Sequence, residues 1–84
     1  MTYRIEIARP AQKQVAALDK SVRVRVIAAI RALADNPHPP GSLKMAGREA
    51  WRVRAGDYRV IYEIHDGILL IEVVEVGHRR EVYR

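Results

Sequence analysis

Three arginines, at positions 52, 54 and 59, are the residues whose type and spacing most directly suggest chemistry. Arg52 and Arg54 stand two apart in Trp51-Arg-Val-Arg54, and Arg59 follows a Gly56-Asp57 turn signal in Tyr58-Arg-Val-Ile-Tyr-Glu-Ile64. Residues two apart on a strand share a face. Trp51 and Val53 must therefore lie on the same side as Tyr58, Val60 and Tyr62, which requires an even loop. Loops of two or four residues give one register: Arg54 opposite Arg59, Val53 opposite Val60, Trp51 opposite Tyr62. A three-residue loop would set Val53 against Arg59 and scramble the faces. The three guanidinium groups thus converge on the face away from the core. Like charges directly opposite on neighbouring strands are destabilising by up to roughly 1 kcal/mol, so the arrangement calls for an anion. A planar guanidinium fork matches phosphate oxygens better than a lysine ammonium does. A second run, Arg79-Arg80, comes straight after Gly77, where it could join the same face. The plainer reading is a solvated arginine face with Glu63 or Glu72 interleaved as counter-ions.

Positioning these residues needs a scaffold, and the hydropathy pattern supplies one. Tyr3, Ile5 and Ile7 alternate with Arg4 and Glu6, the mark of a half-buried strand over 2–8. Pro10 suits a first helical turn, and Ala11, Val15 and Leu18 then make a helical stripe. Asp19-Lys20-Ser21 interrupts it, with Ser21 placed to cap a second helix whose apolar face is Val22, Val26, Ile30 and Leu33. Pro37 ends that helix near Asp35-Asn36. A loop over 38–47 follows, then strands over 51–54 and 58–64, an Asp66-Gly67 signal for a two-residue hairpin, and a nearly continuous apolar strand over 68–76. The expected fold is α+β: an N-terminal strand, a helical hairpin and a three-stranded antiparallel meander. Together these form a mainly antiparallel four-stranded sheet with the helices on one face.

Composition narrows the class. Eighty-four residues with 49% hydrophobic content suit one domain over 1–84 with its own core. The absence of cysteine excludes thiolate metal sites, disulfides and cysteine nucleophiles. No apolar run is long enough to span a bilayer, so the expected compartment is the cytoplasm. Fifteen basic against ten acidic side chains give a net charge of +5, and twelve of the fifteen are arginine. A polyanionic partner is the natural expectation for such a balance.

The segments Leu43-Lys-Met-Ala-Gly47, Trp51-Arg-Val-Arg54, Gly56-Asp-Tyr-Arg-Val-Ile-Tyr62 and Val76-Gly-His-Arg-Arg-Glu-Val-Tyr83 resemble the RelE/ParE toxin superfamily of type II toxin–antitoxin pairs, the RelE branch in particular. The ending, Val-Gly-x-Arg followed by Glu-Val-Tyr, is the more specific piece. The resemblance implies a ribosome-dependent endoribonuclease that cuts messenger RNA in the A site, with no cofactor and no metal. It places Arg52 and Arg54 at two basic positions, Arg59 at a phosphate-contacting arginine, Arg79 at a catalytic arginine and Tyr83 at a tyrosine near the C-terminus. Lys44 falls in a basic loop segment, and Arg80 joins the RNA-binding set. Many relatives continue past that tyrosine into a further helix, whereas this sequence ends at Arg84.

These residue types suit the implied reaction. RNA cleavage needs a 2′-hydroxyl deprotonated, the charge of a phosphorane stabilised and a 5′-oxygen protonated; arginines serve the second need. Tyrosine, with a reference pKa of about 10, becomes a usable base only beside cationic groups. Arginine holds its proton too firmly to act as an acid, which leaves His78 as a candidate proton donor beside a plainer role as an exposed histidine. His38 and His65 are read as incidental. Implied partners are a cognate antitoxin with acidic amphipathic segments, the ribosome and mRNA, without a membrane. Two other readings stay open: a ParE-like inhibitor of DNA gyrase without nuclease activity, and a non-catalytic RNA-binding module.

Overall fold

The computed structural model describes residues 2–78. A strand β1 (Arg4–Ile7) leads into helices α1 (Arg9–Ala16) and α2 (Lys20–Ala32). Four more strands follow: β2 (Leu43–Lys44), β3 (Trp51–Ala55), β4 (Tyr58–His65) and β5 (Leu70–His78). They form one mixed sheet in the order β1-β5-β4-β3-β2, with β1 parallel to β5 and every other pair antiparallel. The α+β class, the helical hairpin and the β3-β4-β5 meander agree with expectation. The four-stranded count does not, because the loop after α2 contributes a fifth strand of two residues, too short for any alternation to reveal.

The apolar stripes of both helices enter the core. Ala11 and Val15 of α1 and Val26 and Ile30 of α2, with Leu33 just beyond it, are buried against Val53, Val60, Tyr62, Ile71, Val73 and Val76 of the sheet. Helix α2 begins one residue before Ser21, with Asp19 at the cap position, so Ser21 is not the cap. The hairpin between β4 and β5 also differs from expectation. A 3₁₀ turn over Asp66–Ile68 replaces the two-residue loop, and the left-handed residue is Leu69, at φ 50°. His65 consequently pairs with Leu70. Two- and four-residue loops preserve the same faces, so the hydrophobic pattern cannot distinguish them.

Within β5 a bulge opposite Ile61 and Tyr62 pairs Tyr62 with Val73 and Ile61 with Glu75, leaving Val74 as the extra residue. It allows Val73 and Val76, three apart, both to be buried. Gln14 of α1 accepts the Val76 N–H at 2.7 Å and so ties the helix to this part of the strand.

Tyr62 is fully buried and its hydroxyl donates to the Pro37 carbonyl at 2.7 Å, anchoring the loop that leads to β2. Burial pushes its phenol pKa up, and a hydrogen bond with Ser42 opposes that shift. Tyr62→Phe is expected to lower stability by about 1 kcal/mol, a drop in melting temperature of roughly 5 °C for a domain of this size. The sign with pH follows from the raised folded pKa. The unfolded phenol ionises near pH ~10 while the folded one stays neutral. This contribution is therefore complete below that pH and is lost as pH rises toward the folded value. Melts of parent and Phe variant between neutral and alkaline pH check both parts, with the parent losing more stability on the alkaline side.

Candidate functional site

The β3–β4 hairpin turns at Gly56-Asp57 with Gly56 at φ 63°, a left-handed conformation that glycine adopts without strain. Its register is the one that even-loop parity demands: Arg54 opposite Arg59, Val53 opposite Val60, Trp51 opposite Tyr62. Val53, Val60 and Tyr62 fill the core under the helices, so Arg52, Arg54 and Arg59 stand on the outer face. There they line a single concavity of about 180 Å³, together with Gly41 and Leu43. None of these five lining residues is acidic.

The three arginines differ in setting. Arg59 is only 7% exposed, whereas Arg54 is exposed and Arg52 is intermediate. Across β4 from Arg54, the residue beside Arg59 is Gly77, which carries no side chain to compete for that space. A buried guanidinium at the floor with two more accessible ones at the rim forms a graded cationic cleft. Its volume suits a phosphate with part of its sugar rather than a whole nucleotide, and five N–H donors per guanidinium can meet non-bridging oxygens in pairs.

Glu63 and Glu72 are not interleaved with these arginines. They lie directly opposite each other nearer the other end of β4, and His65 Nε2 stands 3.6 Å from Glu63 Oε1 and 3.4 Å from Glu72 Oε1. Glu63 and Glu72 thus lie apart from the arginine cleft, while Glu75, opposite Ile61 on the same outer face, stands between the two groups.

Other expected site residues fall elsewhere. Lys44 pairs with Trp51, one position out of phase with Arg52, and its ammonium lies 3.4 Å from Glu49 Oε1. It does not join the arginine cleft. His78 pairs with Tyr58 and packs edge-on to its ring at 5.5 Å. Since Tyr58 packs against the core, His78 is on the helix side of the sheet, away from Arg59. Arg79, Arg80 and Tyr83 lie outside the described residues. Among the described tyrosines, Tyr62 donates to Pro37 and Tyr3 donates to Asp66 Oδ1 at 2.5 Å. The hydrogen bond to Asp66, then burial and the Asp66 charge, raise the Tyr3 pKa. Both shifts oppose a role as general base.

Sequence reasoning missed Gly41 and Leu43. Leu43 is 53% exposed although apolar, and pairing with Arg52 carries it to the rim of the cleft. Gly41 adopts φ 88° in the turn that delivers it. The single available signal was the glycine itself, since a two-residue strand has no period to read. His38 packs edge-on to Trp51 at 4.5 Å, in keeping with an incidental loop histidine.

Comparison with known proteins adds an independent line. Residues 5–83 match a family profile described as the ParE toxin of the type II toxin–antitoxin system parDE. An Escherichia coli protein named as a RelE-like toxin is 30% identical over 81 residues, covering 94% of this chain and 85% of that protein. Toxin RelE of Mycobacterium tuberculosis is 29% identical over 84 residues, covering 98% and 87%. Among solved structures, the archaeal RelE–RelB complex from Pyrococcus horikoshii contains a chain superposing with a TM-score of 0.82 at 29% identity, over 94% of this chain and 97% of that one. The isolated RelE toxin of Escherichia coli shares the fold with a TM-score of 0.79 at 23% identity, over 96% and 90%.

Proposed function

Because the chain belongs to the RelE/ParE toxin family of type II toxin–antitoxin systems, we propose that this RelE-like toxin is a ribosome-dependent endoribonuclease that cleaves mRNA in the A site and so halts translation. The observation that carries this reading is the concavity where Arg52, Arg54 and Arg59 meet, lined among the described residues also by Gly41 and Leu43.

In this reading the cleft holds the scissile phosphodiester. The 2′-hydroxyl oxygen attacks the adjacent phosphorus as it loses its proton to the base, the bond to the 5′-oxygen breaks, and the products are a 2′,3′-cyclic phosphate and a 5′-hydroxyl whose proton comes from solvent water. Arg59, buried and preorganised, stabilises the charge that develops on the phosphorane, an interaction of a kind typically worth ~3–4 kcal/mol. Arg52 and Arg54 hold the non-bridging oxygens and the neighbouring backbone. Arg79 adds charge stabilisation, Arg80 a further phosphate contact and Tyr83 the base, since a phenol beside guanidinium groups ionises more readily. Lys44 and His78 have no part in the chemical step, for the geometric reasons given above.

The Pyrococcus relative was solved as a RelE–RelB complex, and a cognate antitoxin is assigned here as the protein partner. Its acidic amphipathic segment would suit the surface of α2, where Val24, Ile27 and Ala28 are flanked by Lys20, Arg23 and Arg31. No described helix is long and apolar enough to cross a membrane.

The test incubates the purified protein with mRNA-programmed ribosomes and, separately, with DNA gyrase. Codon-phased cuts in the message are expected, with gyrase supercoiling unaffected. Arg79→Ala is expected to abolish growth arrest on induction. Inhibited gyrase with intact message would replace this reading with the ParE-like one. RNA bound with a salt slope yet left uncut on the ribosome would point to the non-catalytic module.

A further inference from the structure

Three carboxylates stand in one row across the sheet at the end away from the arginines. Glu6 of β1 pairs with Glu72 of β5, and Glu72 pairs with Glu63 of β4. Glu6 is 3.5 Å from the Arg4 guanidinium and so has a cation of its own. Glu63 and Glu72 are left facing each other, an arrangement that is unfavourable between like charges. Between them stands His65, two residues along from Glu63 on the same face. One donor atom from each of Glu63, His65 and Glu72 lies within 4.8 Å of the other two.

We infer that Glu63, His65 and Glu72 form a zinc-binding site on the outer face of β4 and β5. Two observations beyond the presence of charge support this. First, the two separations measured from the imidazole fit a metal's coordination polyhedron. Zinc bonds to nitrogen and carboxylate oxygen run at about 2.0–2.2 Å, so donors on a tetrahedron lie roughly 3.3–3.6 Å apart. The two distances from His65 Nε2, 3.4 and 3.6 Å, fall in that range. Second, the donors are held by backbone and not by a loop. Glu63 and Glu72 are locked opposite each other by the β4–β5 ladder, and His65 is the last residue of β4, opposite Leu70.

The donor set narrows the ion. An imidazole with two carboxylates suits zinc, as it suits other late first-row divalent ions, whereas magnesium and calcium prefer all-oxygen shells. Side-chain exposures of 35–41% leave the outward position open to water or to a ligand from another molecule. The ion would cross-link β4 to β5 beside the 3₁₀ turn at Asp66–Ile68, and it would offset the opposed carboxylates. This site is separate from the arginine cleft, and its test does not depend on ribonuclease activity.

The experiment titrates the metal-free protein with zinc chloride, using calorimetry and thermal melting, and repeats it with magnesium. One equivalent of zinc is expected to bind and to raise the melting temperature by several degrees at saturating metal, with magnesium producing no shift. His65→Gln and Glu72→Gln are each expected to weaken zinc binding by about tenfold or more, as loss of one of three ligands should. Glu75→Gln, on the same strand but outside the donor set, is expected to bind as the parent does. Each variant is melted without metal first, so a folding defect in one leaves the other to decide. Absence of zinc binding by the parent, or equal binding by the parent and His65→Gln, would overturn the site.

Discussion

Arg59→Gln is expected to reduce the rate of mRNA cleavage on programmed ribosomes by ~10²–10³-fold, the usual loss when one preorganised donor to a developing charge is removed. The size of the effect follows from where Arg59 sits. It is the most buried of the three cleft arginines, at 7% exposure, so water cannot easily replace its hydrogen bonds to a phosphorane. Glutamine keeps a polar amide near the same volume but loses the charge and the fork. Arg59→Lys is expected to recover only part of the rate, because a point charge restores attraction without paired donors. Matching circular dichroism spectra and melting temperatures separate a chemical defect from a structural one. Cleavage by a well-folded Arg59→Gln at the parental rate would remove the cleft from the mechanism.

Val60→Asp is expected to give no cooperatively folded protein. Val60 is fully buried, and its neighbours on the adjoining strands are Val53 and Val76. A carboxylate there has apolar residues on both sides, and burying it unpaired costs several kcal/mol. The net stability of an 84-residue chain is only about 4–13 kcal/mol at 0.05–0.15 kcal/mol per residue. The variant should accumulate in the insoluble fraction, and any soluble remainder should lack a thermal transition. A melt resembling the parent's would mean that the β3–β4 register is wrong and with it the convergence of the arginines.

That register was legible because parity is a strict constraint. Once Trp51, Val53, Tyr58, Val60 and Tyr62 are assigned to one face, no odd loop is allowed, and the outer arginines follow. The helical stripes were legible for the same reason, since Val26, Ile30 and Leu33 repeat at helical spacing and are buried. Features without a period were not legible. Strand β2 is two residues long, and with it came the Leu43 rim of the cleft. The Asp66-Gly67 pair suggested a tight turn, yet the left-handed conformation fell on Leu69, where no residue preference points to it. The side on which His78 lies was not legible, because adjacency to Gly77 and Arg79 carries no parity across the bulge. The Glu63–His65–Glu72 group went unseen because Glu72 belongs to another strand, whose register depends on that same turn.

The extra residue in β5 decides more than the burial of two valines. Val74 acts as a phase shim in the strand: everything after it is turned over relative to everything before. Were Val74 paired as an ordinary ladder residue, with no bulge, Val76 and His78 would turn to the arginine side and Gly77 toward the helices. The Val76 side chain would then stand opposite Arg59, where Gly77 now places none. The bulge, and no residue of the cleft itself, thereby decides which residue of β5 faces Arg59.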